Sequence, residues 1–191
     1  DYLAEGGSPD VLRYYLTAIA PENARTVYKP DDLVARNNGE LGNVLGNFVN
    51  RVVTFTRKYA GPAVPQYPGE KVQKIDVEFE ASMRMAHKDI TGLIEGFNFK
   101  AALERIMEFG RDCNKYIDDK APWTTRKTDM DLTNVTLAYS LNAIRFLAVV
   151  MAPFMPFTTE KIAKTLSLDF SKRLLNDELA RLKIVQELNE P

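Results

Sequence analysis

Apolar residues recur three and four positions apart along almost the whole of this chain, and period-two alternation is nearly absent. Side chains at that spacing share one face of a helix, so the sequence predicts an all-α fold. Proline then marks where helices begin and stop. Ser8-Pro9-Asp10 reads as a helix start, with Ser8 as N-cap and Pro9 in the first turn, and Pro21 as its end. After an irregular link, Asp31 or Asp32 is expected to cap a second helix running to about Tyr59. Its apolar stripe is Leu41, Val44, Leu45, Phe48, Val49, Val52 and Val53, and its other side carries Asn43, Asn47, Asn50 and Arg51. Beyond a proline-rich loop from Gly61 to Glu70, helices are expected from about Gln73 to Glu95, Asn98 to Asp119 and Leu132 to Met151. A short turn of helix begins at Pro122, and a last helix restarts after the "APFMPF" break. Helices joined by short loops pack antiparallel, which gives a bundle of four or five main helices.

The 191 residues can bury a sizeable core, as one domain or one domain with a small appendage. The single cysteine, Cys113, allows no internal disulfide, and with the single histidine, His87, it makes no metal set, so a cytoplasmic chain without metal is expected. Cys113 falls at an apolar helical position and belongs in the core; His87, among polar neighbours, belongs on the solvated surface. The run from Phe146 to Phe157 is broken by prolines and too short to span a bilayer, so no membrane anchor is expected. The first residues carry neither the regions of a signal peptide nor an initiator methionine, and the charged tail has no clear stop, so the chain reads as a piece of a longer protein. With 25 basic and 26 acidic residues, net charge gives no argument for nucleic acid and leaves only a local basic patch.

No catalytic constellation is present: one histidine cannot build a triad, and no phosphate loop occurs. Gly39, Gly42 and Gly46 lie inside a helical pattern with no strand before them, so they are expected to allow close helix approach rather than to cradle phosphate. Asp118 and Asp119, near a helix C-terminus, are expected to be solvated. What is left is a polar helix face and one tryptophan. Asn47 and Arg51, four apart, project from one face, with Arg57 and Lys58 within two further turns and Lys71 and Lys74 past the loop. Trp123 follows a proline in "KAPWTTRK", where a helix breaks. Asn and Arg on one face could read the edge of an unpaired base and Trp123 could stack on it; equally, the face could be merely solvated and the indole core.

"GGSPDVLRYYLTAIAPENA", "NNGELGNVLGNFVNR", "KAPW" and "RFLAVVMAPFMPFTTEKI" resemble, in order, landmarks of methionyl-tRNA synthetases after their catalytic domain, from about Tyr2 to Leu166. The most specific are G-N-x-x-x-R at Gly46 to Arg51 and A-P-W at Ala121 to Trp123. The resemblance implies that Asn47, Arg51, Pro122 and Trp123 meet the CAU anticodon of methionine tRNA, initiator and elongator, with the cytosine on Trp123. It places Lys58, and Arg57 less closely, toward the anticodon backbone. It divides the chain into a stem-contact remnant (1–30), an anticodon-binding bundle (31–168) and a charged helix or tail (169–191). Neither the H-I-G-H-like nor the K-M-S-K-S signature occurs, so ATP and its magnesium would belong to the parent's catalytic domain and the piece alone would be inactive. The resemblance leaves open a homodimer formed through a C-terminal domain outside this chain. Two other readings are the equivalent domain of another class I synthetase and a helical protein-binding scaffold with Trp123 buried.

Overall fold

The computed structural model describes residues 2–22 and 25–166; the expected charged helix or tail over 169–191 lies outside them. Among the described residues all regular structure is helical. The elements are α1 (Pro9–Ala18), α2 (Pro30–Arg36), a π-helical stretch (Asn37–Gly46), α3 (Asn47–Tyr59), a 3-10 turn (Gly69–Lys71), α4 (Lys74–Glu95), α5 (Phe99–Lys120), α6 (Pro122–Thr125), α7 (Met130–Met151) and α8 (Pro156–Thr165). α7 is the hub, in contact with α3, α4, α5, α6 and α8. An 18-residue window of it has mean hydropathy 1.4, enough by length and composition to cross a membrane, but 89% of that window is buried inside the fold. A helix surrounded by other helices is apolar all round, which accounts for this composition. A search for an unbroken apolar run passes over it, because polar residues such as Ser140 and Asn142 are themselves buried here.

α4 and α5 form a hairpin whose far end is locked by a buried ion pair. Phe79 stacks on Tyr116 with ring centres 4.0 Å apart and 5° between planes. Beside them the Asp76 carboxylate, with no exposure, accepts from the Gln73 amide at 2.8 Å, the Tyr116 hydroxyl at 2.6 Å and Lys120 Nζ at 3.0 Å. Lys120 Nζ also donates to Gln73 Oε1 at 2.9 Å. Two buried charges are tolerable only with this degree of pairing. Burial, and then the adjacent carboxylate, push the Tyr116 hydroxyl pKa far above its usual range. At the opposite face α1 is strapped across the α7–α8 break: Arg13 donates to the carbonyls of Pro153 at 2.7 Å and Phe154 at 3.3 Å, and buried Asp10 accepts from the Thr158 amide.

Several expectations need correcting. The helix from Pro30 to Tyr59 is continuous, but its middle is π-helical, and the Asn47 amide donates to the Gly42 carbonyl five residues back. The glycines there do not mediate helix approach. A Cβ on Gly39 would meet nothing, and on Gly42 or Gly46 it would meet only this helix's own carbonyls. Close approach occurs instead at Gly110 on α5, where a Cβ would lie 2.9 Å from Val44 Cγ1 and 3.2 Å from Leu45 Cδ2. Asn114, one turn on, donates to the Val44 carbonyl at 2.9 Å. Ser8 sits at the N-cap of α1 without a side-chain hydrogen bond, and Asp31 and Asp32 lie inside the first turn of α2, behind Lys29 and Pro30. There they favour the helix through its dipole rather than as caps. His87 is half-buried rather than solvated, and burial lowers its pKa.

Lys120→Met strands the Asp76 carboxylate and is expected to cost about 3–5 kcal/mol, read as a lower urea midpoint. Cys113 has no exposure, and burial pushes its thiol pKa well up. The folded state therefore holds a proton that the unfolded chain releases above about pH 8.5, so this thiol lowers stability as pH rises past that point. A thiol-directed disulfide reagent at alkaline pH is expected to react with Cys113 only as the chain unfolds.

Candidate nucleic-acid interface

The buried Lys120 ends α5, and the chain reverses at once. Ala121 takes a left-handed conformation at φ 43°, and Pro122, buried, opens α6. Thr124 and Thr125 amides donate to the Ala121 carbonyl at 2.8 and 3.2 Å, and the Thr125 hydroxyl meets that of Thr133 at 2.7 Å, fastening the turn to α7. Asp129 caps α7 by accepting from the Leu132 amide at 3.0 Å, and it pairs with Lys71 Nζ at 2.6 Å. Lys71 and then the helix amide hold the Asp129 carboxyl below the usual carboxylate range. With its flanks fixed in this way, Trp123 is turned outward and 39% exposed.

Trp123 forms one wall of a concavity of about 390 Å³ between α3 and the α5–α6 corner. α3 contributes Asn50, Arg51, Thr54, Phe55, Lys58 and Tyr59; the corner adds Ile117, Pro122, Trp123 and Arg126. Arg51 is held from below, its Nη2 2.6 Å from Asp118 Oδ1, and its guanidinium carbon lies 5.2 Å from the centre of the Trp123 ring. Asp118 is thus an orienting partner and not a free solvated carboxylate, while Asp119 pairs with Lys115. Arg126 lies over the Tyr59 ring at 4.2 Å, and Lys58 Nζ is 5.2 Å from the same ring. One exposed indole beside guanidinium and ammonium donors, with a partly buried phenol ring behind them, suits a planar ligand that carries negative charge, which is the chemistry of an unpaired nucleotide.

The structure brings Arg51, Lys58, Pro122 and Trp123 together in this cavity. Asn47 is exposed at the start of α3, one turn before Arg51, and does not line it. Arg57 is not among the residues lining this cavity: it lines an adjoining apolar groove of about 410 Å³ with Leu41, Val49, Val53, Met155 and Ile162, and the two share Asn50 and Thr54 along α3. Consecutive helical residues point about 100° apart, so Arg57 and Lys58 cannot serve one face equally. Lys71 is held by Asp129, whereas Lys74 makes only an exposed surface pair with Glu78, and neither lines the cavity. The residues that the sequence left unassigned are Asn50, Tyr59 and Arg126. Asn50 was visible on the polar face, and Arg126 follows Trp123 by three positions, close to one helical turn. Among the described residues no three of His, Cys, Asp and Glu converge as a metal site.

Comparison with known proteins identifies the family. Residues 64–189 match the family model of the anticodon binding domain of methionyl tRNA ligase, and residues 1–53 match that of class I tRNA synthetases (M). The methionine–tRNA ligase of Pyrococcus abyssi is 40% identical over 164 residues, covering 86% of this chain and 22% of that protein. The Bacillus mycoides enzyme is 37% identical over 165 residues, again 86% of this chain and 29% of its own length. The chain thus spans under a third of these relatives. The solved structure of Mycobacterium tuberculosis methionyl-tRNA synthetase in complex with methionyl-adenylate superposes with a TM-score of 0.84 at 27% identity, over 92% of this chain and 35% of that one. The chain belongs to the methionyl-tRNA ligase family, and its helical bundle is the anticodon-binding domain of that family.

Proposed function

We propose that this domain selects methionine tRNA, initiator and elongator, by its CAU anticodon, within a cytoplasmic ligase whose catalytic part joins methionine to the tRNA with ATP. The observation that carries the proposal is the exposed indole of Trp123, placed in one cavity with a guanidinium already oriented by a carboxylate. A splayed base gains stacking on Trp123, and specificity then comes from hydrogen bonds to its pairing edge. Cytosine offers an amino donor and ring acceptors. The Arg51 donors not taken by Asp118 suit the acceptors, and the Asn47 amide, at the rim one turn away, both donates and accepts. Pro122 closes the cavity floor beside the base. Residues 1–30 are assigned to the tRNA stem; α1 packs on α2, α5 and α8, so this assignment includes a helix firmly joined to the bundle. The chemistry of activation, with ATP and its magnesium, is assigned to the rest of the parent.

Titrating the chain with anticodon stem-loops of several identities, while following emission of its single tryptophan, tests the proposal. Quenching by the CAU loop and not by loops with a changed first anticodon base is expected. A response to none of them would favour a protein-binding scaffold, for which the apolar groove beside α3 and α8 is the available surface. Trp123→Ala is expected to weaken CAU-loop binding by about 1–3 kcal/mol. Its melting temperature should move little, whereas deleting a core indole costs about 3–5 kcal/mol of stability. Arg51→Ala and Asn47→Ala are each expected to lower CAU-loop affinity about tenfold and to narrow the preference for C at the first position, because each leaves a desolvated polar atom of the base unpaired.

A further inference from the structure

The cavity holds cations beyond the one that faces the base. Of Arg51, Lys58 and Arg126, only Arg51 has a carboxylate partner among the described residues. Arg126 is bound by its own stacking instead. Its guanidinium lies 4.2 Å over the Tyr59 ring, Tyr59 is braced by Phe55 at 4.6 Å, and the Arg126 amide closes the α6 turn on the Pro122 carbonyl at 3.1 Å. Arg126 Nε is buried and makes no hydrogen bond to protein. A guanidinium held over a ring loses little freedom when it binds, and its terminal Nη groups, which are not among the buried atoms, remain to donate to a phosphate. Lys58 Nζ, 5.2 Å from the same ring, adds a second point charge on that side.

We propose that Arg126, positioned by Tyr59, is a phosphate-binding residue. It grips the RNA backbone next to the nucleotide that stacks on Trp123 and takes, beside Lys58, the place that the resemblance gave less closely to Arg57. The proposal rests on the anticodon-binding function and adds to it the group that sets backbone register. Contacts of this kind carry no base information, so their loss weakens every loop alike. Arg57 is given no part in the contact because it lines the adjoining apolar groove and not the cavity that holds Trp123.

The test is binding of the 191-residue chain to the CAU stem-loop and to one with a changed first anticodon base, across a range of salt. Arg126→Ala is expected to weaken both about tenfold. It should also make the salt dependence shallower by about 0.7 in log–log slope, the value for one phosphate on a single strand. Arg57→Ala should change neither. A methylphosphonate scan of the loop adds a readout that does not depend on the variant's stability. Neutralising one linkage beside the first anticodon nucleotide should cost the wild-type chain about tenfold and cost Arg126→Ala nothing further. An unchanged slope in Arg126→Ala, a loss with Arg57→Ala, or equal costs at every linkage would overturn the assignment while leaving the anticodon reading standing. Failure of the wild-type chain to bind either loop would overturn both.

Discussion

The recognition surface depends on an ion pair that it does not contain. Asp76 and Lys120, with 0% and 3% side-chain exposure, join the start of α4 to the end of α5. Lys120 is the last residue of α5, so the pair fixes the point at which the chain may turn, and the left-handed Ala121 and buried Pro122 then leave Trp123 nowhere to go but out. Buried pairs of this sort give little net stability over a well-packed apolar substitute. Their value here is positional: the carboxylate's oxygens are claimed together by Lys120, Tyr116 and the Gln73 backbone amide, which ties the register of the hairpin to this pairing.

Arg51 is placed by the same logic at smaller scale. A guanidinium opposite an exposed ring and free of partners would sample many rotamers and lose that freedom on binding. The 2.6 Å contact with Asp118 holds it near the indole beforehand. The net charge of −1 hides this arrangement, because the cations of the cavity are gathered on one wall rather than spread as a field over the whole surface. Of the other basic side chains named by the sequence, Lys71 is held away from the cavity by Asp129.

The helices were legible because their apolar period is unbroken, and their ends because proline and asparagine punctuate them. The π-helical stretch was not: residues spaced three and four apart look alike whether the turn closes on the fourth or the fifth carbonyl. Gly110 was missed for a related reason, since a glycine's role depends on what lies across from it, here Val44 and Leu45. In the site, Arg51 and Trp123 were named from spacing and from the resemblance, Lys58 and Pro122 were given their places by the resemblance, and the structure groups all four in one cavity. Asp118 was read as solvated and Arg57 as basic-face because both judgments need the neighbouring helix. Arg126 became visible only once α6 folded it onto Tyr59, 67 positions earlier in the sequence.

The central claim is that the first anticodon base lies on Trp123. It is tested most directly by photo-crosslinking a CAU stem-loop that carries 5-iodocytidine at that base, followed by peptide mapping. The account predicts a single major adduct in the peptide containing Trp123, lost when the loop is competed with unmodified CAU RNA. An adduct mapped to the groove between α3, α7 and α8, or one not reduced by that competitor, would contradict it.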